Sequence, residues 1–193
     1  MPPPTPLRVD ADDVIRLLGL EPLPHEGGAF RETYRAGHEV AGVGDAARAA
    51  STQIYYLLRP GETSALHRVR HDEVFHHYLG DPVEQLCLDD AGVTAGNPRA
   101  WVWRIGPGLT EAEEGPRSER PQRVVPARVW QGARLADDAG VHGFALLGCT
   151  VSPGFDWADF NLAPTDPEPL RRAFPEHGAL IEALSPVPGR TRA

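Results

Sequence analysis

The chain has 193 residues and a formal net charge of -8, a size typical of one domain with a sizeable core. Hydrophobic residues make up 41% and charged residues 24%, which excludes disorder over the whole length. All 19 basic residues are arginine, which excludes a lysine Schiff base, a lysine general base and a phosphate loop ending in Gly-Lys. The net negative charge leaves no basic surface of the kind that binds a nucleic acid. No apolar run reaches the roughly 18 residues that a membrane span needs. We therefore expect a cytoplasmic protein with neither a nucleic-acid nor a membrane partner.

Short elements separated by turns are predicted along the chain, in keeping with 20 glycines and 20 prolines. A disordered leader is expected at 1–9, followed by a short helix that Asp10 caps and Gly19 ends. Runs rich in β-branched and aromatic residues predict strands at 30–34, 51–58, 64–70, 73–79, 83–88, 100–105, 122–126, 130–135 and 144–151. Residues 41–50 carry little signal, and 111–119 is expected to be an exposed loop. Short helices at 169–174 and 178–184 close a single domain of residues 10–184, and 185–193 is expected to be a disordered tail. This pattern predicts an all-β sandwich or barrel.

The densest polar cluster extends from Gly61 to Gly80 and contains four of the eight histidines. Alternate side chains of a strand share a face, so His67 points to the same side as Val69. After a turn at 70–72, the face of Glu73 also carries Phe75, His77 and Leu79, and the opposite face carries His76 and Tyr78. If His67 and Glu73 both point into a barrel, they converge near its mouth. That arrangement suits metal binding or proton transfer.

The spacing of this cluster resembles the first motif of the cupin superfamily, which is Gly, five residues, His-x-His, three or four residues, Glu, six residues and Gly. Gly61, His67, Glu73 and Gly80 match it, but Val69 takes the place of the second histidine. In the second motif Arg128 takes the usual glycine position, and Gln131 takes the place of the metal-binding histidine. Four segments are similar to the cupin-5 family, long catalogued as a domain of unknown function: STQIYYLL, HRVRHDEVFHHYLGDP, VVPARVWQGARL and VSPGFDWADFNLA. The resemblance implies a double-stranded β-helix, a jelly roll related to that of the dTDP-sugar 3,5-epimerases, and a homodimer.

Three functions remain open. The first is an isomerase or epimerase that binds a sugar or keto-acid metabolite and uses acid–base catalysis without a required cofactor, with His67, Glu73 and Tyr78 as catalytic residues. The second is an enzyme dependent on a divalent metal such as iron, manganese, nickel or zinc, held by His67, Glu73, His77 and Gln131. The third is a non-catalytic ligand-binding or sensor module. In each case the small-molecule ligand is expected to contact Tyr55, His76, His77, Trp130, Gln131, Phe155 and Asp159.

Several of these residues also have a structural interpretation. His67 and Glu73 also suit a hydrogen-bonded pair inside the barrel, although a ligand-binding role is favoured, and Asp156 and Asp159 suit capping a turn more than closing the pocket. Arg68 and Arg128 suit either an anion clamp or ordinary surface salt bridges. Two further expectations follow from local context: His71 lies at the surface of its turn, and Cys87 and Cys149 are buried, reduced thiols. All three functions depend on His67 and Glu73 facing the same enclosed cavity.

Overall fold

The computed structural model describes residues 9–41, 46–93, 96–111, 115, 117–137 and 140–186. The first element, helix α1 (Ala11–Leu18), has the predicted ends. The Asp10 carboxylate accepts a hydrogen bond from the backbone N–H of Asp13 at 2.9 Å, and Gly19 ends the helix at φ 60°. The buried Val14 holds α1 on the outside of the barrel, in a cluster with Leu57 and Phe144.

Fourteen strands follow α1 in the described part of the chain, and they include all nine that the sequence predicts. They are β1 (Glu21–Pro22), β2 (Ala29–Arg35), β3 (Glu39–Ala41), β4 (Ala47–Ala49), β5 (Thr52–Leu58), β6 (Thr63–Arg68), β7 (Asp72–Gly80), β8 (Val83–Asp89), β9 (Arg99–Ile105), β10 (Glu119–Arg120), β11 (Gln122–Val125), β12 (Trp130–Leu135), β13 (Ala145–Ser152) and β14 (Asn161–Leu162).

The strands form two facing sheets and one separate hairpin within the described residues. The first sheet has the order β1-β2-β5-β13-β7-β11, and the second has the order β10-β9-β8-β12-β6-β14. Both sheets are almost entirely antiparallel and pair strands that are distant in sequence, which is the jelly-roll arrangement predicted above. Buried apolar side chains such as Tyr56, Phe75 and Leu147 fill the space between the sheets.

The strand register brings the sequence-predicted polar residues to adjacent positions. In the second sheet, Gln131 of β12 lies opposite His67 of β6 and Cys87 of β8. In the first sheet, Glu73 of β7 lies opposite Val151 of β13. The two sheets therefore present His67 and Glu73 to the same interior.

Two helices close the domain as predicted, α2 (Glu168–Ala173) and α3 (Gly178–Leu184). Ile181 and Leu184 of α3 are fully buried against Leu66 and Leu86 on the outer face of the second sheet. By packing there, α3 shields this face of the sheet from water. Burying one such side chain contributes about 2 kcal/mol to the stability of the fold. Among the described residues, no helix is long and apolar enough to cross a membrane.

Two segments differ from the sequence-based expectation. Strands β3 and β4 form a hairpin where little structure was expected, because Arg48 is held by a carboxylate from the far end of the chain. In the expected loop 111–119, Ser118 is fully buried and Glu119 begins β10; residues 112–114 and 116 lie outside the described residues. The leader 1–9 and the tail 185–193 also lie outside the described residues, except for Val9, Ser185 and Pro186.

Candidate functional site

A cavity of about 280 Å³ opens between the two sheets, on the side where β2 and β5 face β6. Seven polar or charged residues line it: Glu26, Glu32, Arg35, Thr52, His67, Glu73 and Asp156. An aromatic wall consists of Phe30, Phe155, Trp157 and Phe160. The cavity thus has the composition of a small-molecule pocket, in which a mostly apolar surface carries a few placed polar groups.

His67 is fixed in position and in tautomer. Its side chain is buried, its ring stacks on Phe160 with centroids 5.2 Å apart, and its Nδ1 lies 2.8 Å from the carbonyl oxygen of Ala65. A carbonyl oxygen only accepts hydrogen bonds, so Nδ1 carries a proton and donates it. In the neutral ring the lone pair is then on Nε2, which lies 3.9 Å from Oε2 of Glu26.

Glu26 is the site residue that the sequence analysis missed. It belongs to a loop between β1 and β2 that is fixed against β6: the backbone N–H of Ala65 donates to the Glu26 carbonyl oxygen at 2.9 Å. The Ser64 hydroxyl donates to Glu26 Oε1 at 2.6 Å. The loop approaches β6 this closely because Gly27 has no side chain, since a Cβ there would lie 2.6 Å from the Thr63 carbonyl oxygen. The only sequence signal was the pair of glycines that follows Glu26.

Glu73 is a buried carboxyl group with an altered proton affinity. Burial raises its pKa from the ordinary 4.5 to about 7, although the charge of His67 and a hydrogen bond from Gln131 act in the opposite direction. The Glu73 side chain therefore exchanges its proton near neutral pH. Such a group can act both as an acid and as a base.

A chain of three hydrogen bonds ends on Glu73, and we call it the amide relay. Trp103 Nε1 donates to Gln85 Oε1 at 2.7 Å, Gln85 Nε2 donates to Gln131 Oε1 at 3.2 Å, and Gln131 Nε2 donates to Glu73 Oε2 at 2.6 Å. An indole nitrogen can only donate, so Trp103 fixes the orientation of both amides. Gln131 therefore presents an N–H, and not an oxygen, to the carboxyl group.

The amide relay bears on whether these residues suit a metal ion. The Gln131 side-chain oxygen accepts a hydrogen bond from Gln85, and its nitrogen points toward Glu73. The side chain therefore presents an N–H group, and not an oxygen ligand for a cation, to the Glu73 carboxyl group. His77 was expected to complete a metal set, but its Nε2 lies 3.3 Å from the Asp81 carbonyl oxygen at the far end of β7. Within the described residues, no three His, Cys, Asp or Glu side chains group as a metal site would require. The donor set proposed from the sequence is not brought together, and the residues present do not fit a transition metal.

Three predicted site residues lie outside the cavity, on the outer face of the first sheet. The Tyr78 side chain is 52% exposed and packs edge-to-face on Tyr55, with centroids 6.0 Å apart, and the His76 ring lies parallel to Tyr78 at 6.2 Å. Tyr78 was predicted to be catalytic, and Tyr55 and His76 to bind a ligand; none of the three lines the cavity that contains His67 and Glu73. The predicted alternation also fails at the end of β7, because an irregularity in its pairing with β13 shifts the register between His77 and Leu79.

Trp130 and Asp159 also have other roles. Trp130 packs in the cluster beneath α2 and α3, and its Nε1 donates to Asp90 at 2.9 Å. Asp159 is 3% exposed and accepts two hydrogen bonds from Arg48, with Nε–Oδ2 at 2.7 Å and Nη2–Oδ1 at 3.0 Å. This pair holds the segment of Phe155, Trp157 and Phe160 against the β3–β4 hairpin, and so shapes the aromatic wall of the cavity. Neither side chain lines the cavity itself.

The remaining predictions concern an aromatic residue, two turn residues and the two cysteines near the cavity. Phe155 lines it as predicted, and the neighbouring Asp156 both lines it and caps the turn Trp157–Asp159. His71 was expected at the surface but is 4% exposed, with its Nδ1 at 4.0 Å from Asp159, and burial lowers its pKa. Both cysteines are buried and free, as expected, and Cys149 lies beside Glu73.

Comparison with known proteins is consistent with this fold. The family model of Cupin_5, described as "Cupin superfamily (DUF985)", matches residues 12–163. A hypothetical protein from Leishmania major is 32% identical with a TM-score of 0.75, and the match covers 93% of this chain and all of that one. A protein from Shewanella oneidensis is 33% identical with a TM-score of 0.72, and here the match covers 92% and 98% of the two chains.

A more distant comparison concerns the fold alone. A cupin-2 domain from Rhodospirillum rubrum is 15% identical with a TM-score of 0.51, covering 86% of this chain and 90% of that one. No curated protein matches the chain. The match over residues 12–163, together with two relatives above 30% identity across nearly the whole length, shows that the chain belongs to the Cupin_5 family of the cupin superfamily.

Proposed function

We propose that the cavity binds a small, uncharged carbonyl compound of the sugar type and isomerises it by acid–base catalysis without a required metal. The observation that carries this proposal is that a fixed imidazole and a carboxyl group with a pKa of about 7 line the same small cavity. Proton transfer next to a carbonyl group requires a positioned base beside an acid, and the Glu73 carboxyl group exchanges its proton near neutral pH.

The charges of the cavity favour an uncharged ligand over a keto acid. Glu26 and Glu73 lie at its polar end, and among its lining residues Arg35 is the one arginine. Arg35 is already paired with Glu32 through two hydrogen bonds of 3.0 and 2.7 Å. A carboxylate ligand would meet negative charge without a free cation to offset it. A hydroxyl-rich carbonyl compound can instead donate hydrogen bonds to Glu26 and stack its ring face on the aromatic wall.

Each proton in the reaction has an assigned position. His67 Nε2 removes a proton from the carbon next to the carbonyl group, while protonated Glu73 gives its proton to the carbonyl oxygen, and an enediol forms. Glu73 then takes the proton of the neighbouring hydroxyl group, and His67 returns its proton to the former carbonyl carbon. The reaction is a net 1,2-shift of hydrogen that leaves both residues in their starting states. It does not need Tyr78, which lies on the other side of the first sheet.

Deuterium exchange tests the proposal even when the product is unidentified. Purified protein is incubated in D₂O with a panel of neutral aldoses, ketoses and hydroxyketones, and loss of the C–H signal next to the carbonyl group is followed by proton NMR. We expect exchange with at least one compound, and a decrease of about 100-fold or more in His67→Gln. Tyr78→Phe is the matched control, with expected exchange at the wild-type rate.

Three results would contradict the proposal, and each identifies what replaces it. Exchange that persists in His67→Gln removes the imidazole from the mechanism. Saturable binding of a compound from the panel without any exchange indicates a sensor or binding module. Stoichiometric metal in the purified protein that is lost in His67→Gln, with exchange abolished by a chelator, indicates the metal-dependent alternative.

A further inference from the structure

A second concave site lies at the end of β6, next to the cavity, and we call it the arginine hollow. It has a volume of about 270 Å³ and is lined by Arg68, Val69, Arg70, Arg128, Asp159 and Asn161. Arg68 alternates with His67 in β6, so it points away from the barrel interior, and Arg70 follows just after the strand ends. The backbone N–H of Arg128 donates to the Val69 carbonyl oxygen at 2.8 Å, which brings the third arginine to the same place.

The balance of charge in the arginine hollow is positive, although the whole chain carries a net charge of -8. Three arginines line it, and Asp159 is the one acidic residue among the residues that do so. That carboxylate is 3% exposed and already bonded at two points to Arg48, with Arg70 reaching its Oδ1 at 3.3 Å. Neighbouring guanidinium groups repel one another unless an anion lies between them.

Arg68 is held so that its hydrogen-bond donors stay available. Its guanidinium carbon lies 4.3 Å above the Trp130 ring, and its Nη1 is 3.4 Å from Asp90 Oδ2, an oxygen that also accepts from Trp130. A guanidinium stacked on an aromatic ring uses its face and leaves N–H groups at its edge. Those groups are the ones that bind a planar or tetrahedral oxyanion.

The backbone of Arg128 is a further observation. Its φ is 67°, in the left-handed region that costs an arginine free energy and a glycine almost none. Its side chain is exposed and makes no hydrogen bond or ion pair with the described residues. Internal contacts therefore do not account for an arginine in a strained conformation, whereas a ligand of its guanidinium group does.

We infer that the arginine hollow binds a phosphate-type oxyanion, either free or as the phosphate group of a metabolite, through Arg68, Arg70 and Arg128. The inference stands apart from the proposed reaction, because none of these three arginines lines the cavity. Inorganic phosphate is the probe. It is titrated by isothermal calorimetry against protein in a phosphate-free buffer, with sodium chloride at matched ionic strength as the reference.

The variants separate binding from folding. Arg128→Gly relieves the backbone strain, so we expect a melting temperature at or a few degrees above that of the wild type, together with about a tenfold loss of phosphate affinity. Arg68→Gln is expected to weaken binding by a similar factor. Arg172→Gln is the control, because that arginine lies on α2 in an exposed pair with Glu168, and it should bind phosphate as the wild type does.

The binding results test the inference and also identify the source of the anion. If ribose 5-phosphate binds more tightly than inorganic phosphate while ribose does not bind, the hollow holds the phosphate group of a metabolite. Equal affinities assign it to free phosphate. The inference is overturned if no saturable binding is seen, or if Arg128→Gly and Arg68→Gln bind phosphate as tightly as the wild type does.

Discussion

Replacing Glu73 by glutamine should stabilise the protein at high pH and have little effect at low pH. In the folded state, burial raises the pKa of Glu73 from 4.5 to about 7. Below pH 4.5 the group is protonated in both the folded and the unfolded state, so its ionisation costs nothing. Between pH 4.5 and 7 the folded state holds the proton more tightly, and the free energy of unfolding falls as pH rises. Above about pH 7 the folded state carries the full free-energy cost of ionising the buried Glu73 carboxyl group.

The magnitude follows from the separation of the two pKa values. A shift from 4.5 to about 7 corresponds to about 3 kcal/mol of stability lost by the wild type as the pH rises to 8. Glutamine resembles the protonated carboxyl group, accepts the same hydrogen bond from Gln131 and does not titrate. The advantage of Glu73→Gln over the wild type should therefore grow by about 3 kcal/mol between pH 4.5 and 8.

Urea unfolding of both proteins at closely spaced pH values measures this difference. Glu168→Gln is the control, because its carboxylate is in an exposed pair on α2, and its effect should stay within about 0.5 kcal/mol at every pH. A Glu73→Gln advantage that does not change with pH would refute the reasoning. So would one that shrinks as the pH rises, since Glu73 would then be stabilised in its ionised form.

Three further predictions address the supports of the site and the outer face of the first sheet. Gln85→Leu interrupts the amide relay and leaves buried partners unsatisfied, so urea unfolding should show a loss of about 2 kcal/mol or more, with the Glu73 titration moved to higher pH. Asp159→Asn leaves Arg48 without its counter-charge, and thermal unfolding should report a loss of about 2 to 3 kcal/mol, with weaker ligand binding because the aromatic wall loosens. The homodimer expected from the family resemblance would bury the exposed Tyr78, so Tyr78→Arg should yield monomers in sedimentation equilibrium and leave the melting temperature unchanged.

The strands were predictable because each is a local run of β-branched and aromatic residues ended by a turn. The β3–β4 hairpin was not, because its arginine and alanine residues have little preference for strands. It forms through contacts distant in sequence: Arg48 binds Asp159, and the Ala49 carbonyl oxygen accepts from the backbone N–H of Gly154 at 2.6 Å. No local pattern could have revealed contacts that close a loop of more than one hundred residues.

The candidate site was predictable only where alternation along a strand determines which way a side chain points. Alternation within a strand placed His67 and Glu73 correctly, since His67 lines the cavity together with Val69, and Glu73 lies on the inward face together with Phe75. It failed for Leu79, because the irregular pairing after His77 interrupts the alternation, whereas His77 keeps the alternation but lies at the opposite end of β7 from Glu73. Glu26 was missed because a loop residue has no periodicity, and its place in the cavity depends on the close approach of Gly27 to β6.

The loss of two ligand positions from the cupin motifs and the raised pKa of Glu73 have one physical explanation. In a metal site, the charge of the cation keeps a buried carboxylate ionised. Here Val69 and Gln131 occupy two of the positions where the motifs place histidine, and the amide relay turns the N–H of Gln131 toward Glu73. One neutral N–H offsets burial only partly, so a proton takes the place of the cation, and the pKa of Glu73 rises to about 7. The residues at these two motif positions thus leave Glu73 with a proton that exchanges near neutral pH, and the proposed reaction depends on that proton.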